Sequence, residues 1–176
     1  ELSRLHKELK TTMIYVTHDQ SEALALCDRL AIMDDGHVEQ VGTPMYLMQH
    51  PNSTMVATFL GSPPMNLFEG KFSDTSFDSA QFSLPMSTRG HEQRQVILGV
   101  RAENFRLDPN GPIRGEVILV EPMLAERALL AYVEMGKTRV VAHLPEETRL
   151  HVGDQIALNV DTEHVHLFDP RTGKRL

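Results

Sequence analysis

Tyr15-Val16-Thr17-His18-Asp19-Gln20 runs without a break into Ser21-Glu22-Ala23-Leu24-Ala25-Leu26-Cys27-Asp28. Thr12 to Val16 is apolar and rich in β-formers, so it reads as a short core strand. The following residues read as a helix. Ala23, Leu26, Cys27 and Leu30 lie on one stripe, and Asp19 stands where an N-cap belongs. A histidine lodged where a core strand passes into a helix is held by both elements, yet its ring stays outside the sheet edge. There a neutral imidazole can donate from one nitrogen to a phosphate oxygen and use the other to hold a carbonyl or a water. A lone histidine at a strand end is more often structural or merely exposed. The long ordered context from Ile14 to Ala23 favours the functional reading of His18.

Outward from this stretch, helical and strand patterns alternate as far as Gly61-Ser62-Pro63-Pro64. Leu2, Leu5 and Leu9 fall on one helical face. Arg29 to Met33 and Val38 to Val41 read as two strands joined through Asp34-Asp35-Gly36, a hairpin turn signal. Thr43-Pro44 opens a helix with Thr as N-cap and Pro at the first helical position, and that helix ends before Pro51. Asn52 or Ser53 caps a last helix carrying Met55, Val56, Phe59 and Leu60. One clear strand for a parallel sheet is too few for a complete nucleotide-binding fold.

From Leu67 onward the pattern is all β. Strands are expected at Leu67–Phe72, Phe77, Phe82–Leu84, Val96–Val100, Ile113–Val120, Leu129–Glu134, Arg139–Leu144, Gln155–Val160 and His164–Phe168. Gly, Pro, Asp and Asn separate them at the spacing of a small barrel or sandwich. Residues Pro85 to Gln95 are polar and read as a loop.

Composition narrows the function. The 176 residues fit one ordinary domain or two small ones, with 41% hydrophobic residues, 6% aromatic and no Trp. No run approaches the ~18 apolar residues of a membrane span. The net charge of −7 is spread along the chain, −4 over residues 1–66 and −3 over 67–176. Neither part offers a basic stripe, which speaks against a nucleic-acid partner. The single cysteine, Cys27, reads as a small buried hydrophobe.

Other candidate motifs are weaker. Gly136-Lys137-Thr138 imitates the end of a phosphate-binding loop, but Ala131 stands where its first Gly is needed, and the surroundings are those of a hairpin. No apolar run ends in Asp-Glu to hold Mg²⁺. His164 and His166 would share one strand face as a metal pair, with Asp161 and Glu163 nearby, but no convincing third ligand exists, and a solvated face is the simpler reading. Asp34-Asp35 and Glu146-Glu147 sit in turns and need no catalytic role.

Taken together, four blocks resemble the C-terminal half of ATP-binding cassette (ABC) importer ATPases of the maltose and glycerol-3-phosphate type. They are the segment around His18; Asp35-Gly36-His37-Val38-Glu39-Gln40-Val41-Gly42-Thr43-Pro44; Phe59-Leu60-Gly61-Ser62-Pro63-Pro64-Met65-Asn66; and, in the β part, Leu98-Gly99-Val100-Arg101-Ala102-Glu103 with Gly115-Glu116-Val117, Val120-Glu121, Gly153-Asp154-Gln155 and His166-Leu167-Phe168-Asp169-Pro170-Arg171-Thr172-Gly173. Ala102, Asn104 and Ala125 depart from the residues usual in that family.

The resemblance implies an α/β remnant of the ABC nucleotide-binding domain over residues 1–61. An all-β, OB-fold-like (TOBE/MOP-like) regulatory barrel would follow over residues 62–176. It implies that His18 is the switch histidine, meeting the γ-phosphate of ATP across a homodimer. ATP and Mg²⁺ would serve the full-length protein, with no cofactor or metal bound by this stretch alone and no hydrolysis by it. The implied partners are a second copy, two transmembrane permease subunits and, indirectly, a solute-binding protein, at the cytoplasmic face of the membrane. The competing expectation is a free-standing β-barrel that binds a small anion or sugar.

Overall fold

The computed structural model describes residues 2–73, 75–87 and 94–176. The expected loop Pro85–Gln95 lies largely outside them. In chain order the elements of the first part are α1 (Leu2–Leu9), α2 (Gln20–Leu26), β1 (Leu30–Asp34), β2 (His37–Gly42), α3 (Pro44–Gln49) and α4 (Thr54–Phe59). Strands β1 and β2 form the expected hairpin, and both turn residues, Asp35 and Gly36, take positive φ of 44° and 75°. Thr43 caps α3 through its hydroxyl with Pro44 at the first helical position, and Ser53 caps α4 by accepting from Val56 N. Ile32, Leu47, Val56 and Leu60 form a small core under these elements.

The β part contains β3 (Asn66–Phe72), β4 (Ser76–Ser79), β5 (Ser83–Pro85), β6 (Gln95–Val100), β7 (Phe105–Leu107), β8 (Ile113–Met123), β9 (Ala128–Met135), β10 (Thr138–Pro145), β11 (Gln155–Val160) and β12 (His166–Phe168). They build two five-stranded antiparallel sheets, ordered β12-β6-β3-β4-β5 and β10-β9-β8-β11-β7. The edge strands β10 and β7 of the second sheet pack on each other, so that sheet curls towards closure. Both sheets face one core. Phe68 and Phe82 meet edge-on at 5.1 Å and Phe72 and Phe77 at 6.1 Å. Each of these buried rings contributes about 2–3 kcal/mol by leaving water.

Several expectations need correction. Thr12–Val16 forms no strand; Ile14 and Val16 are 91% and 89% exposed. Such a run is a strand only between neighbours in a sheet covered on both faces, and among the described residues no neighbour stands beside it. For the same reason α2 buries none of its residues, and Leu5, Leu9 and Leu26 are exposed; the side chain of Leu2 lies outside those described. Cys27 is not a buried helical residue but the half-buried C-cap of α2, a free thiol. His164 leaves the last strand for a short 3₁₀ turn (Thr162–His164), while His166 is buried in β12. The two imidazoles therefore share no strand face, and His166 is not a solvated surface residue. The strand Phe105–Leu107 was not expected; three residues are too few to show a period.

The C-terminal tail closes back over the helices of the first part. Asp169 to Leu176 returns to the start of α4, where Thr54 N donates to Gly173 O and Arg175 N donates to Asn52 O, both at 2.8 Å. Lys174 Nζ reaches Glu39 Oε2 at 2.7 Å. Ala57, Met65 and Phe168 pack together between the helices and the first sheet.

Candidate functional site

His18 lies in the turn between the exposed run and α2. Asp19 Oδ1 accepts from Ser21 N at 2.7 Å and Glu22 N at 3.1 Å, which starts the helix as a capping aspartate should. Thr17 Oγ1 accepts from Asp19 N and donates to Glu22 Oε2 at 2.9 Å, and Tyr15 OH donates to the same oxygen at 3.0 Å. The carboxylate beside it raises the Tyr15 phenol above its ordinary pKa. The residues on both sides of His18 are thus fixed, while its ring is exposed and, among the described residues, has no hydrogen-bond partner.

His18 also lines a groove of about 900 Å³ bounded by Lys10 to Gln20, Leu26 to Met33, Phe59 and Leu60. Its walls carry exposed apolar side chains, including Met13, Ile14, Val16, Leu26, Met33 and Phe59. Such an apolar trough suits packed polypeptide better than a charged small molecule.

Behind the turn, Gln20 reaches the junction with the β part. Its Oε1 accepts from Gly61 N at 3.2 Å. On the other side stands Arg101, only 5% exposed, immediately after β6. Its Nη1 donates to Ala57 O at 3.1 Å and to Leu60 O, and its Nη2 to Met48 O at 3.2 Å. These carbonyls belong to the C-terminal turns of α3 and α4, where acceptors lack intrahelical partners and the helix dipole favours a cation. Burial lowers the Arg101 pKa, and Glu103 partly opposes the shift.

The Asp19 cap was legible in the sequence, whereas the contacts of Gln20, Asn66 and Arg101 were missed. The available signal at Arg101 was an arginine directly following an apolar strand, a position where a long cation reaches back over the sheet. Asn66 and Gln20 carry no signal of their own.

Gly136-Lys137 is a tight turn joining β9 to β10, with Gly136 at φ 64°. Among the described residues no group of His, Cys, Asp and Glu could hold a metal ion. No helix among them is long and apolar enough to cross a membrane.

The β part is of the OB-fold and TOBE class: residues 61–105 match the MalK OB fold domain and residues 98–168 the TOBE domain. Along its full length the chain is 38% identical to the xylose/arabinose import ATP-binding protein XacK of Haloferax volcanii, over 186 residues and 49% of that protein. It is 35% identical to the sn-glycerol-3-phosphate import ATP-binding protein UgpC of Psychromonas ingrahamii, again over the full chain and 49% of the relative. The protein of that name in Ruegeria pomeroyi is 38% identical over 176 residues, half of its length. The chain belongs to the family of ABC importer ATP-binding subunits, and it spans about half the length of these curated relatives. The solved cytoplasmic molybdate-binding protein ModG overlaps 60% of this chain and 96% of its own at 17% identity and a TM-score of 0.48, a likeness too loose to bear on fold or ligand.

Proposed function

We propose that this chain is the rear part of an ABC importer ATPase subunit. Residues 1–61 would be the end of its nucleotide-binding domain and residues 62–176 its regulatory barrel. The observation that carries the reading is His18, exposed between a capped helix and an apolar run, with no hydrogen-bond partner for the ring and no sheet for the run among the described residues. An apolar run left in solvent is an incomplete strand, and relatives of twice the length supply a source for its neighbours.

In the whole subunit His18 would donate to the γ-phosphate of ATP, mostly held by the opposite copy of a homodimer. ATP and Mg²⁺ would be held by residues outside this stretch, which alone would not hydrolyse ATP. The subunit would act at the cytoplasmic face of the membrane with two permease subunits and, through them, a solute-binding protein. Xylose/arabinose and sn-glycerol-3-phosphate in the relatives' names support a carbohydrate or glycerol-phosphate solute. The acidic charge balance speaks against nucleic acid.

The test is His18→Ala in the full-length subunit assembled with its permease. Coupled ATP hydrolysis should vanish while ATP binding persists. Undiminished hydrolysis would remove the switch assignment.

A further inference from the structure

One peptide group, Leu60–Gly61, is gripped from both sides. Its carbonyl accepts from Arg101 Nη1, and its N–H donates to Gln20 Oε1 at 3.2 Å. Arg101 belongs to the β part and Gln20 lies two residues from His18. The C–N bond has partial double-bond character, so the C=O and N–H are the two edges of one rigid plate. A shift imposed on one edge moves the other. Hydrogen bonding at each edge also polarises the group and strengthens the bond at the opposite edge.

Three further observations make this arrangement specific. Gly61 sits at φ 108°, a conformation that glycine tolerates and side-chain-bearing residues rarely adopt. A Cβ on it would stand 2.7 Å from Arg101 Nη1, so only glycine lets the guanidinium approach. Arg101 cannot drift, because its other bonds tie it to Ala57 O and Met48 O at the ends of two helices. The plate is therefore tied to the barrel through Arg101, itself only 5% exposed, and this is the firmer side, since α2 has no buried residue.

We propose that the Leu60–Gly61 peptide is a relay through which the barrel sets the position of the His18 turn, with Gln20 and Arg101 as its positioning residues. The proposal rests on the reading of His18 as the switch histidine and adds the route by which the regulatory part acts on it. A change in the barrel that moves the strand end at Arg101 rotates the plate and pulls on Gln20. Gln20 is the first residue of α2, and the turn holding His18 is capped onto that same helix through Asp19. No contact between the barrel and His18 itself is required.

The test uses the full-length subunit with its permease and two readouts. Hydrogen exchange at the Gly61 amide reads the relay directly. Gln20→Ala and Arg101→Lys should each speed exchange about tenfold, whereas Gln20→Glu should stay near the parent because its carboxylate still accepts. The second readout is a double-mutant cycle on ATP hydrolysis. Each single change should lower kcat about three- to tenfold at unchanged KM for ATP, Gln20→Glu should retain most of the rate, and the double variant should be no slower than the slower single. Gln20 is on the exposed side of the link, so Gln20→Ala stays informative even where Arg101→Lys loosens the fold. Unchanged Gly61 exchange in Arg101→Lys, or losses that multiply in the cycle, would overturn the relay. Hydrolysis surviving His18→Ala strikes the switch reading instead, and the exchange measurement then decides the link by itself.

Discussion

Asn66 and Val141 pair as though both were strand backbone. Val141 N donates to Asn66 Oδ1 at 2.8 Å, and Asn66 Nδ2 donates back to Val141 O at 2.9 Å and to Val100 O at 3.2 Å. Asn66 opens β3 in one sheet, and Val141 lies on β10 at the edge of the other. A carboxamide has the donor and acceptor of a peptide unit, so it occupies a position on an edge strand that would otherwise recruit another strand.

Asn66→Asp keeps the acceptor but places a carboxylate against two carbonyls that have lost their donor. Asn66→Leu leaves Val141 with both groups unmet. Each is expected to destabilise the chain by about 2–4 kcal/mol, the larger loss falling to Asp above pH 5. Chemical denaturation at pH 7 checks this through the midpoint at constant slope. A shift equivalent to less than ~0.5 kcal/mol in both would mean the pairing carries no weight.

Arg101 differs from an ordinary ion pair because its partners are helix-end carbonyls rather than a carboxylate. Arg101→Met strips the donor from Met48 O, Ala57 O and Leu60 O in a dry site and should cost about 3–5 kcal/mol. Arg101→Lys keeps the charge, but one ammonium cannot serve three carbonyls set for a planar fork, so more than half of that loss is expected. Because its hydrogen-bond partners are neutral carbonyls and Glu103 acts on it only through space, the difference between parent and variant should change little between 0.05 and about 1 M salt. A difference that collapses in high salt would point to an unrecognised anionic partner.

These two residues show where sequence reasoning stops. The hairpin Leu30–Gly42, the caps at Asp19, Thr43 and Ser53 and nine of the barrel strands were legible, because local chemistry and period decide them. Thr12–Val16 was read as a short core strand; its exposure follows from the lack of a strand beside it among the described residues, which no local pattern encodes. The contacts of Asn66 and Arg101 cross 75 and 53 residues of chain, and polar residues at strand ends look alike whether they face water or a carbonyl. His166 misled for the same reason. It was read as half of a His pair on a solvated strand face, but it is only 8% exposed.

That burial moves the pH at which His166 titrates. Burial first, then the charges of Arg175, Arg101, His50 and His164, pushes its pKa down to about 4, and Nδ1 is buried with no hydrogen-bond partner among the described residues. The folded state holds the neutral ring, while the unfolded chain takes a proton below its ordinary value of 6.5. Stability from this residue is therefore complete above pH 6.5 and lost as pH falls towards 4, by about 3 kcal/mol at most. Asp108, Asp161 and Asp169 have carboxyls held below their usual pKa by hydrogen bonds, so their stability is lost lower, as pH falls below about 4. The windows separate. His166→Gln should flatten the stability curve between pH 6.5 and 4 and leave the fall below 4 intact; an unchanged slope in the upper window would show that the ring is not what titrates.

The exposed run gives a prediction of opposite character, a change that should cost the folded chain nothing. Ile14 and Val16 are packed against no core, so replacing both with lysine removes no buried contact, and the melting temperature of the 176-residue chain should move by less than about 2 °C. Solubility should rise at the same time, because an apolar run with unpaired backbone is a template for pairing between chains, and charge blocks it. In the full-length subunit the same pair should be severely damaging, since there the run would be enclosed by neighbouring strands and two buried ammonium groups cost several kcal/mol each. Comparing the two contexts by thermal melting isolates what the upstream polypeptide contributes. Equal tolerance in both would mean that Thr12–Val16 is never a core strand, and the reading of residues 1–61 as the end of a nucleotide-binding domain would fall with it.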